Sequence, residues 1–481
     1  MSEPRFAVVG HPNKGKSSIV ATLAADDQVR VAPTPGTTTR SREFPMSVDG
    51  QTLYTLIDTP GFQRARRAWD WMKQRQTSAD QHAQVVRDFI AEQERADHYP
   101  DEVELLRPLM EPDKPAGILY VVDGSVPYGP EYEAEMEILR WAGRPSLALI
   151  NPIGQADHVD AWRAALGQYF KIVRVFNAVT AEFDKRLELL RAFGQLQDDW
   201  RGPLEQAVRA LDADRTRRRR ESARELAALL AEALTLTAEK KLGPDADAKP
   251  YREELLEKFK GELRRRERRC RDAVEAIYDH HGLDRQESDD EYESLKEDLF
   301  SEKTWAEFGL TRRNLAALGA VSGGVAGAMG THWVDVVTGG ATLGGATAAG
   351  GVLGAATGGV LGWMGGGKIA EFKVINRTLG GKLLQCGPVR NPNFPFVLFG
   401  RARLHHALVA GRTHAQRGTL EVAAASVPAL DETQRAVLAK GFKAAAKAGN
   451  DREALGEAQV GLTEVIESIL TGDEKRGQAQ D

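Results

Sequence analysis

Short apolar runs rich in β-branched residues recur through the first part of the chain, at Phe6–Val9, Gln51–Asp58, Ala116–Asp123, Ser146–Ile150 and Val173–Phe176. Runs of this length, several of them closed by turn-forming residues, read as buried strands. Segments with helical spacing, such as Ser18–Leu23 and Glu131–Trp141, fall between them. Strand alternating with helix predicts an α/β domain over residues 1–200 with a doubly wound, mostly parallel sheet. Residues 62–114 interrupt the alternation with a long insert of helical pattern.

Beyond residue 200 the period changes. Leu204–Leu236 and Tyr251–Tyr278 place apolar residues on one helical face, for example Leu226/Leu229/Leu230 and Leu255/Phe259/Leu263, and Gly243-Pro244 breaks them into a hairpin. This predicts a helical region over 201–310. Its arginine runs, Arg217–Arg220, Arg264–Arg266 and Arg268–Arg269, read as a solvated face or as a contact for anionic lipid headgroups. In a small C-terminal α+β or α domain over 369–481, Phe394–Leu398 and Ala407–Ala410 read as short strands or buried segments. There Glu421–Leu430, Thr433–Ala448 and Leu455–Leu470 read as helices.

One stretch departs from the pattern of a soluble protein. Between Asn314 and Gly367 the only ionisable residues are His332 and Asp335. Gly319, Gly323 and Gly327, then Gly350, Gly354, Gly358, Gly362 and Gly366, recur every fourth residue. In a helix that spacing makes a flat stripe for close packing, and a bilayer would enforce helix where water would not. Arg312 and Arg313 before the stretch, with Lys368 and Lys373 after it, suit a hairpin over 311–368 with both ends on the cytoplasmic side. A buried soluble hairpin and a flexible linker are the alternatives.

Composition narrows the setting. The 481 residues are too many for one core. A net charge of −5 gives no global attraction to nucleic acid, and the arginines are not interleaved with aromatics, so nucleic acid is not an expected partner. Cys270 and Cys386 are far apart and lack metal spacing, which fits a reducing compartment. The first strand begins almost at the N-terminus, so the first domain is expected in the cytosol. His405, His406 and His414 lack carboxylates or cysteines in register and read as packing or surface residues before metal ligands.

The candidate chemistry follows the first strand. Gly10-His11-Pro12-Asn13-Lys14-Gly15-Lys16-Ser17-Ser18 lies between that strand and a helix start, the context a phosphate-binding loop needs. Gly10 and Gly15 let backbone amides turn toward phosphate oxygens, and the helix N-terminus adds to the attraction. Lys16 would bridge the β- and γ-phosphates, and Ser17 would hold Mg²⁺. The 31–40 loop supplies threonine hydroxyls for the metal. Asp58 leaves the second strand in Asp58-Thr-Pro-Gly61, where it would support Mg²⁺ while the Gly61 amide approaches the γ-phosphate. The insert after Gly61, with Trp69, Trp71 and Arg64/Arg66/Arg67, is then a hairpin packed on the sheet or an effector surface moved by the γ-phosphate.

These residues resemble the GTPases of the Era/Der/tRNA-modification group. Gly10–Ser18 matches that group's Gly-x-Pro-Asn-x-Gly-Lys-Ser-Ser, Pro35-Gly-Thr-Thr38 its first switch, and Asp58–Gly61 its second. The resemblance implies GTP and GDP as ligands and Thr38, flanked by Thr37 and Thr39, as the switch threonine on Mg²⁺ and γ-phosphate. It also implies that Asn13 seats a K⁺ ion, since Phe62 stands where Ras-like enzymes carry a water-orienting glutamine. Gln63 is the alternative for that water.

A guanine-reading Asn-Lys-x-Asp is expected next, and the chain has Asn151-Pro-Ile-Gly154. Without that aspartate, guanine N1 and its 2-amino group lose their usual partner, and Asp157 is three residues late to replace it. Asn177-Ala178 weakly echoes the base-binding Ser-Ala. An Era-like domain with this altered motif ahead of a domain of unknown function resembles a bacterial family. Gly387–Asn391, Phe394–Gly400 and Leu404–His414 carry the rest of that resemblance. The expectation is a GTP-hydrolysing switch associated with the inner membrane and its lipid, able to self-associate through the glycine-rich helices. A pore-forming glycine-zipper protein with nucleotide-regulated assembly, or a soluble regulatory module, are the alternatives.

Overall fold

The structure, a computed structural model, describes residues 3–24, 40–48, 50–75, 78–178, 183–278, 299–300, 304, 370–376, 381–411 and 428–477. It divides into two units, Met1–Thr216 with Gly411–Gly418, and Arg217–Ala410 with Thr419–Asp481.

The first unit contains β1 (Arg5–Val9), α1 (Lys16–Ala24), β2 (Arg42–Val48), β3 (Gln51–Asp58), α2 (Ala65–Lys73), α3 (His82–Ala96), α4 (Pro100–Met110) and β4 (Gly117–Val122). It continues with α5 (Glu131–Ala142), β5 (Ser146–Ile150), α6 (Val159–Leu166), β6 (Val173–Val175), α7 (Phe183–Gly194) and the first part of α8 (Asp198–Thr235). The strands form one sheet in the order β2-β3-β1-β4-β5-β6, parallel throughout except for β2 against β3. Because successive strand side chains point to opposite faces, the apolar runs feed two cores at once. Phe6, Val8, Leu119 and Leu147 join Ile19 of α1, Phe193 of α7 and Leu204 of α8. Ala7, Val9, Ile118 and Ala148 join Met72, Phe89, Leu106, Ile138 and Trp162 of α2 to α6. Gly117 is where the start of α8 docks. A Cβ there would stand 2.6 Å from the Trp200 ring, and Phe6 stacks on Phe193 at 4.2 Å and meets Trp200 edge-on at 5.0 Å.

The insert is helical, as its pattern predicts. The last two of its three α-helices, α3 and α4, meet in a turn where Asp97 and Tyr99 both take φ +51°, a left-handed backbone that costs a non-glycine residue about 1 kcal/mol.

The second unit holds the rest of α8, β7 (Ala238–Leu242), α9 (Arg252–Ile277), β8 (Ala370–Asn376), β9 (Lys382–Val389), α10 (Phe394–Gly411), α11 (Glu432–Ala448) and α12 (Arg452–Gly477). A small antiparallel sheet, β7-β9-β8, packs with the helices around one core that includes Leu226, Phe259, Leu384, Phe399, Leu438 and Ile466. One expectation is narrowed and one corrected here. Of the two readings of Phe394–Leu398 and Ala407–Ala410, short strands or buried segments, the second holds: they are the two largely buried ends of α10. That helix is buried on nearly every side, so it shows no amphipathic period and its apolar ends mimic strands. Residues 428–430 are not helical; α11 starts at a capping box in which Asp431 and Gln434 bond each other's backbone amides. Lys373 lies within β8 opposite Gln385 rather than in a free flank.

α10 also carries buried charge. Arg401 Nε donates to Glu267 Oε1 at 2.7 Å, His405 pairs with Glu275 at 3.0 Å, and His406 pairs with the Tyr278 hydroxyl at 3.1 Å. The first two of the three candidate histidines are thus core residues; His414 lies outside the described residues. So do Thr38 with the rest of 25–39, the acidic run Asp289–Glu293 and the whole 311–368 stretch. Among the described residues, no helix is long and apolar enough to cross a membrane.

Burial lowers His405 and pushes His406 down to about 3, helped for His406 by the neighbouring His405 and Arg219. Unfolded, each imidazole protonates near 6.5. Folding therefore gains stability that is complete above pH 6.5 and is lost as pH falls toward 3, at about 1.4 kcal/mol per unit for His406. Urea unfolding of the full chain at pH 7 and pH 5 should show this loss, and His406→Gln should reduce the slope by about one proton.

Candidate functional site

The loop from Gly10 to Gly15 is pressed between β4 and the loop after β5, and no side chain fits at its contact points. Gly10 has φ +145°, and a Cβ there would lie 2.4 Å from the Val121 carbonyl oxygen. Gly15 has φ +78°, and its Cβ would lie 2.3 Å from Asn151 Nδ2. Asn13 takes φ +60° at the exposed crown of the loop. Ser18 follows, half-buried, in the first turn of α1.

Lys16, the first residue of α1, folds back over this loop. Its Nζ donates to the His11 carbonyl at 2.9 Å and the Gly10 carbonyl at 3.3 Å. Burial pushes its ammonium down to about 8, against the pull of Asp58 and Glu135. Ser17 Oγ donates to Asp58 Oδ2 at 2.9 Å, so the structure brings together the two residues among those described that the sequence suggests as metal ligands. Hard oxygens from a hydroxyl and a carboxylate suit Mg²⁺.

The segment after Asp58 is closed on the same loop. Thr59 Oγ1 donates to the Val8 carbonyl at 2.7 Å, and the Phe62 amide donates to the Gly10 carbonyl at 3.1 Å. Gly61 lies so close to Pro12 that a Cβ would come within 2.6 Å of the proline nitrogen. Phe62 is fully buried in the core shared by α2 to α6, whereas Gln63 is exposed. The backbone amides of Gln63 and Arg64 donate to one buried carboxylate oxygen, Glu102 Oε1, at 2.9 and 2.5 Å. Burial raises Glu102, with those amides pulling the other way.

On the far side of the loop, Asn151 does what its position requires. Its Nδ2 donates to the Lys14 carbonyl at 3.1 Å, and its Oδ1 accepts from the Ala178 amide at 3.2 Å, while Asn177 Nδ2 donates to the Pro152 carbonyl at 2.9 Å. The Lys14 ammonium lies 4.0 Å from Asp123 Oδ2, and the other oxygen of Asp123 accepts from the Ser125 amide and hydroxyl. Ile153 is 56% exposed, and Asp157 is exposed on the turn into α6.

Sequence reasoning missed Asp123 and Glu135, although both have a readable signal. Asp123 ends β4 as Asp58 ends β3. Glu135 interrupts the apolar face of α5, and there it pairs with His11 Nδ1 at 2.8 Å and accepts from the Tyr120 hydroxyl at 2.9 Å. Burial raises the Glu135 carboxyl, with His11 opposing.

Two family models match the chain, one described as 50S ribosome-binding GTPase over residues 5–122 and one described as Domain of unknown function (DUF3482) over residues 163–465. The GTPase Der of Herminiimonas arsenicoxydans is 46% identical over 66 residues, 14% of this chain and 14% of its own length. The GTPase Der of Thermoanaerobacter sp. (strain X514) is 44% identical over 63 residues, 13% of this chain and 14% of its own. The chain thus matches about one seventh of these relatives' length. Two crystal structures of Era are also similar. One, in complex with MgGDPNP and nucleotides 1506–1542 of 16S ribosomal RNA, has 15% identity and a TM-score of 0.28, covering 58% of this chain and 90% of that one. The other is a variant of Era from Aquifex aeolicus bound to GDP.AlF4-. It has 16% identity and a TM-score of 0.26, with the same shares covered.

Asn151→Ala leaves the Lys14 carbonyl and the buried Ala178 amide without this partner. It should destabilise the first unit by about 2 kcal/mol and speed exchange at the Ala178 amide. Ile153→Ser, exposed, should stay within about 0.5 kcal/mol. Thermal unfolding with amide exchange checks both.

Proposed function

The chain belongs to the family described as Domain of unknown function (DUF3482) and carries an Era/Der-like P-loop GTPase domain; on that premise we propose that it is a nucleotide switch that hydrolyses GTP to GDP and phosphate. The observation that carries this reading is the 2.9 Å contact between Ser17 and Asp58, beside a buried Lys16 on a loop with no room for side chains.

In this reading the triphosphate displaces the Lys16 ammonium from the Gly10 and His11 carbonyls and takes it as a counter-charge. Amides of the 10–17 loop donate to the phosphate oxygens. A water oxygen attacks the γ-phosphorus in line, the bond to the β-γ bridging oxygen breaks, and GDP leaves with that oxygen. The Gly61 amide serves the γ-phosphate. Ser17, Thr38 and Asp58 would hold Mg²⁺, which when bound neutralises charge at the phosphates. The Phe62 side chain is apolar and fully buried and cannot orient water, so we assign the compensating positive charge to K⁺ held in part by Asn13. Gln63 is the competitor. Asn151 braces the nucleotide loop, and guanine is read without the usual carboxylate. We further read the glycine-rich 311–368 stretch as a hairpin seated in lipid, a proposal supported by its composition and by the basic residues before and after it.

The test is turnover of GTP, ATP and XTP by the full chain in potassium and in sodium. GTP preferred, with a rate that rises in potassium and falls at least about a hundredfold in Lys16→Ala, supports the reading. Equal turnover of all three bases removes guanine from it, and turnover unaffected by Lys16→Ala overturns it.

A further inference from the structure

The insert helix α4 touches the nucleotide domain at two places that sequence reasoning did not connect. Glu102 is 1% exposed, and its Oε1 accepts the amides of Gln63 and Arg64, immediately after Gly61. Two residues further along α4, Glu104 Oε1 accepts the Ser41 amide at 2.9 Å, and its carbonyl accepts the Ser41 hydroxyl at 3.0 Å. Ser41 leads directly into β2. A third contact joins the same parts, since the Arg64 guanidinium lies over the Tyr99 ring, 6.0 Å from its centre, in the turn that starts α4.

A carboxylate this buried is an unusual partner for backbone amides that a surface loop could have left to water. Its cost is offset only while both donors stay in place. The bond therefore selects one arrangement of residues 62–64. In that arrangement Phe62 is sunk into the core, Gly61 abuts Pro12, and the Phe62 amide is spent on the Gly10 carbonyl. Any step that frees the Gly61 amide for a phosphate must pull on Glu102. Ser41, tied to the next residue but one of the same helix, is pulled by the same body.

We propose that α4 is a common tether for residues 61–64 and for Ser41 at the entry to β2, with Glu102 a positioning residue for the first and Glu104 for the second. It rests on the nucleotide-switch reading above. A ligand that moves the insert hairpin would then act on the site through these two carboxylates, and nucleotide would act on the hairpin in return.

Two measurements on the full chain test it. The first needs no nucleotide: amide exchange at residues 63 and 64 should rise about tenfold in Glu102→Ala and much less in Glu102→Gln, which keeps an acceptor oxygen. The amide of Ser41 should respond in the same way to Glu104→Ala. Unchanged exchange at these amides overturns the tether. The second uses GTP: Glu102→Ala should change kcat by about tenfold while the dissociation constant for GDP stays within about twofold, and Glu102→Gln should restore most of kcat. A kcat equal to the parent's, or a loss of kcat matched by an equal loss of GDP binding, overturns the positioning role. If Glu102→Ala fails to fold, the Gln variant carries the comparison with Glu104→Ala. Absence of turnover in the parent chain would sink the switch reading and the coupling with it, while the exchange measurement would still report whether the tether exists.

Discussion

The site depends on one steric constraint: at its glycines the 10–15 loop lies too close to its neighbours for any side chain to fit. A Cβ on Gly10 would meet the Val121 carbonyl, one on Gly15 would meet Asn151, and one on Gly61 would meet Pro12. Two of these neighbours are backbone atoms and the third, the Asn151 side chain, is held by hydrogen bonds at both ends, so the contacts are not easily relaxed and the loop is held in one shape. Everything chemically useful is set by that shape. It directs Lys16 inward, puts Ser17 beside Asp58, and leaves Asn13 at the crown. The glycines are therefore as much packing residues as conformational ones, and each tolerates no substitution for a reason that can be located on a different element.

The same constraint accounts for the asparagine that the altered base motif keeps. Asn151 works inside the protein, joining the Lys14 carbonyl to the Ala178 amide, so its loss would be felt with no ligand bound. The lysine and aspartate of the usual motif are absent, and Pro152 and Gly154 stand in their places. A cation has not vanished from the area, because Lys14 of the loop itself reaches to 4.0 Å from Asp123. The support of the loop is thus in place without the lysine and aspartate of the usual motif, so bracing the loop and contacting a base are separable physical tasks.

Most of the first unit was legible because its strands are buried on both faces, so their apolar runs are continuous and short. The phosphate loop, Asp58 and Asn151 were legible because they carry residue types at a spacing that a phosphate-binding motif prescribes. What could not be read depends on contacts far apart in sequence. β7 reads Ala-Glu-Lys-Lys-Leu and becomes a strand only by pairing with β9 more than a hundred residues on, Ala238 opposite Cys386. α10 was not legible as a helix because burial on nearly every side erases the helical period. Glu102 and Glu104 look like the solvated face of a helix, and only tertiary packing turns them inward to amides of other segments. Thr38 and the glycine-rich stretch lie outside the described residues, so their readings rest on sequence alone.

The burial of Phe62 bears on how a switch of this kind could be controlled. A glutamine at that position would do its work by reaching the water, and its segment could move freely between states. An apolar side chain held in the core makes the segment costly to move, since Phe62 shares its core with Ala65, Ala68 and Met72 of α2. About 1.5–3 kcal/mol follows a buried phenylalanine out of such a core, more than a single backbone hydrogen bond contributes. The segment therefore moves as a body with α2 or not at all. An insert that grips the next two amides, and Ser41 at the entry to β2, is then well placed to decide which.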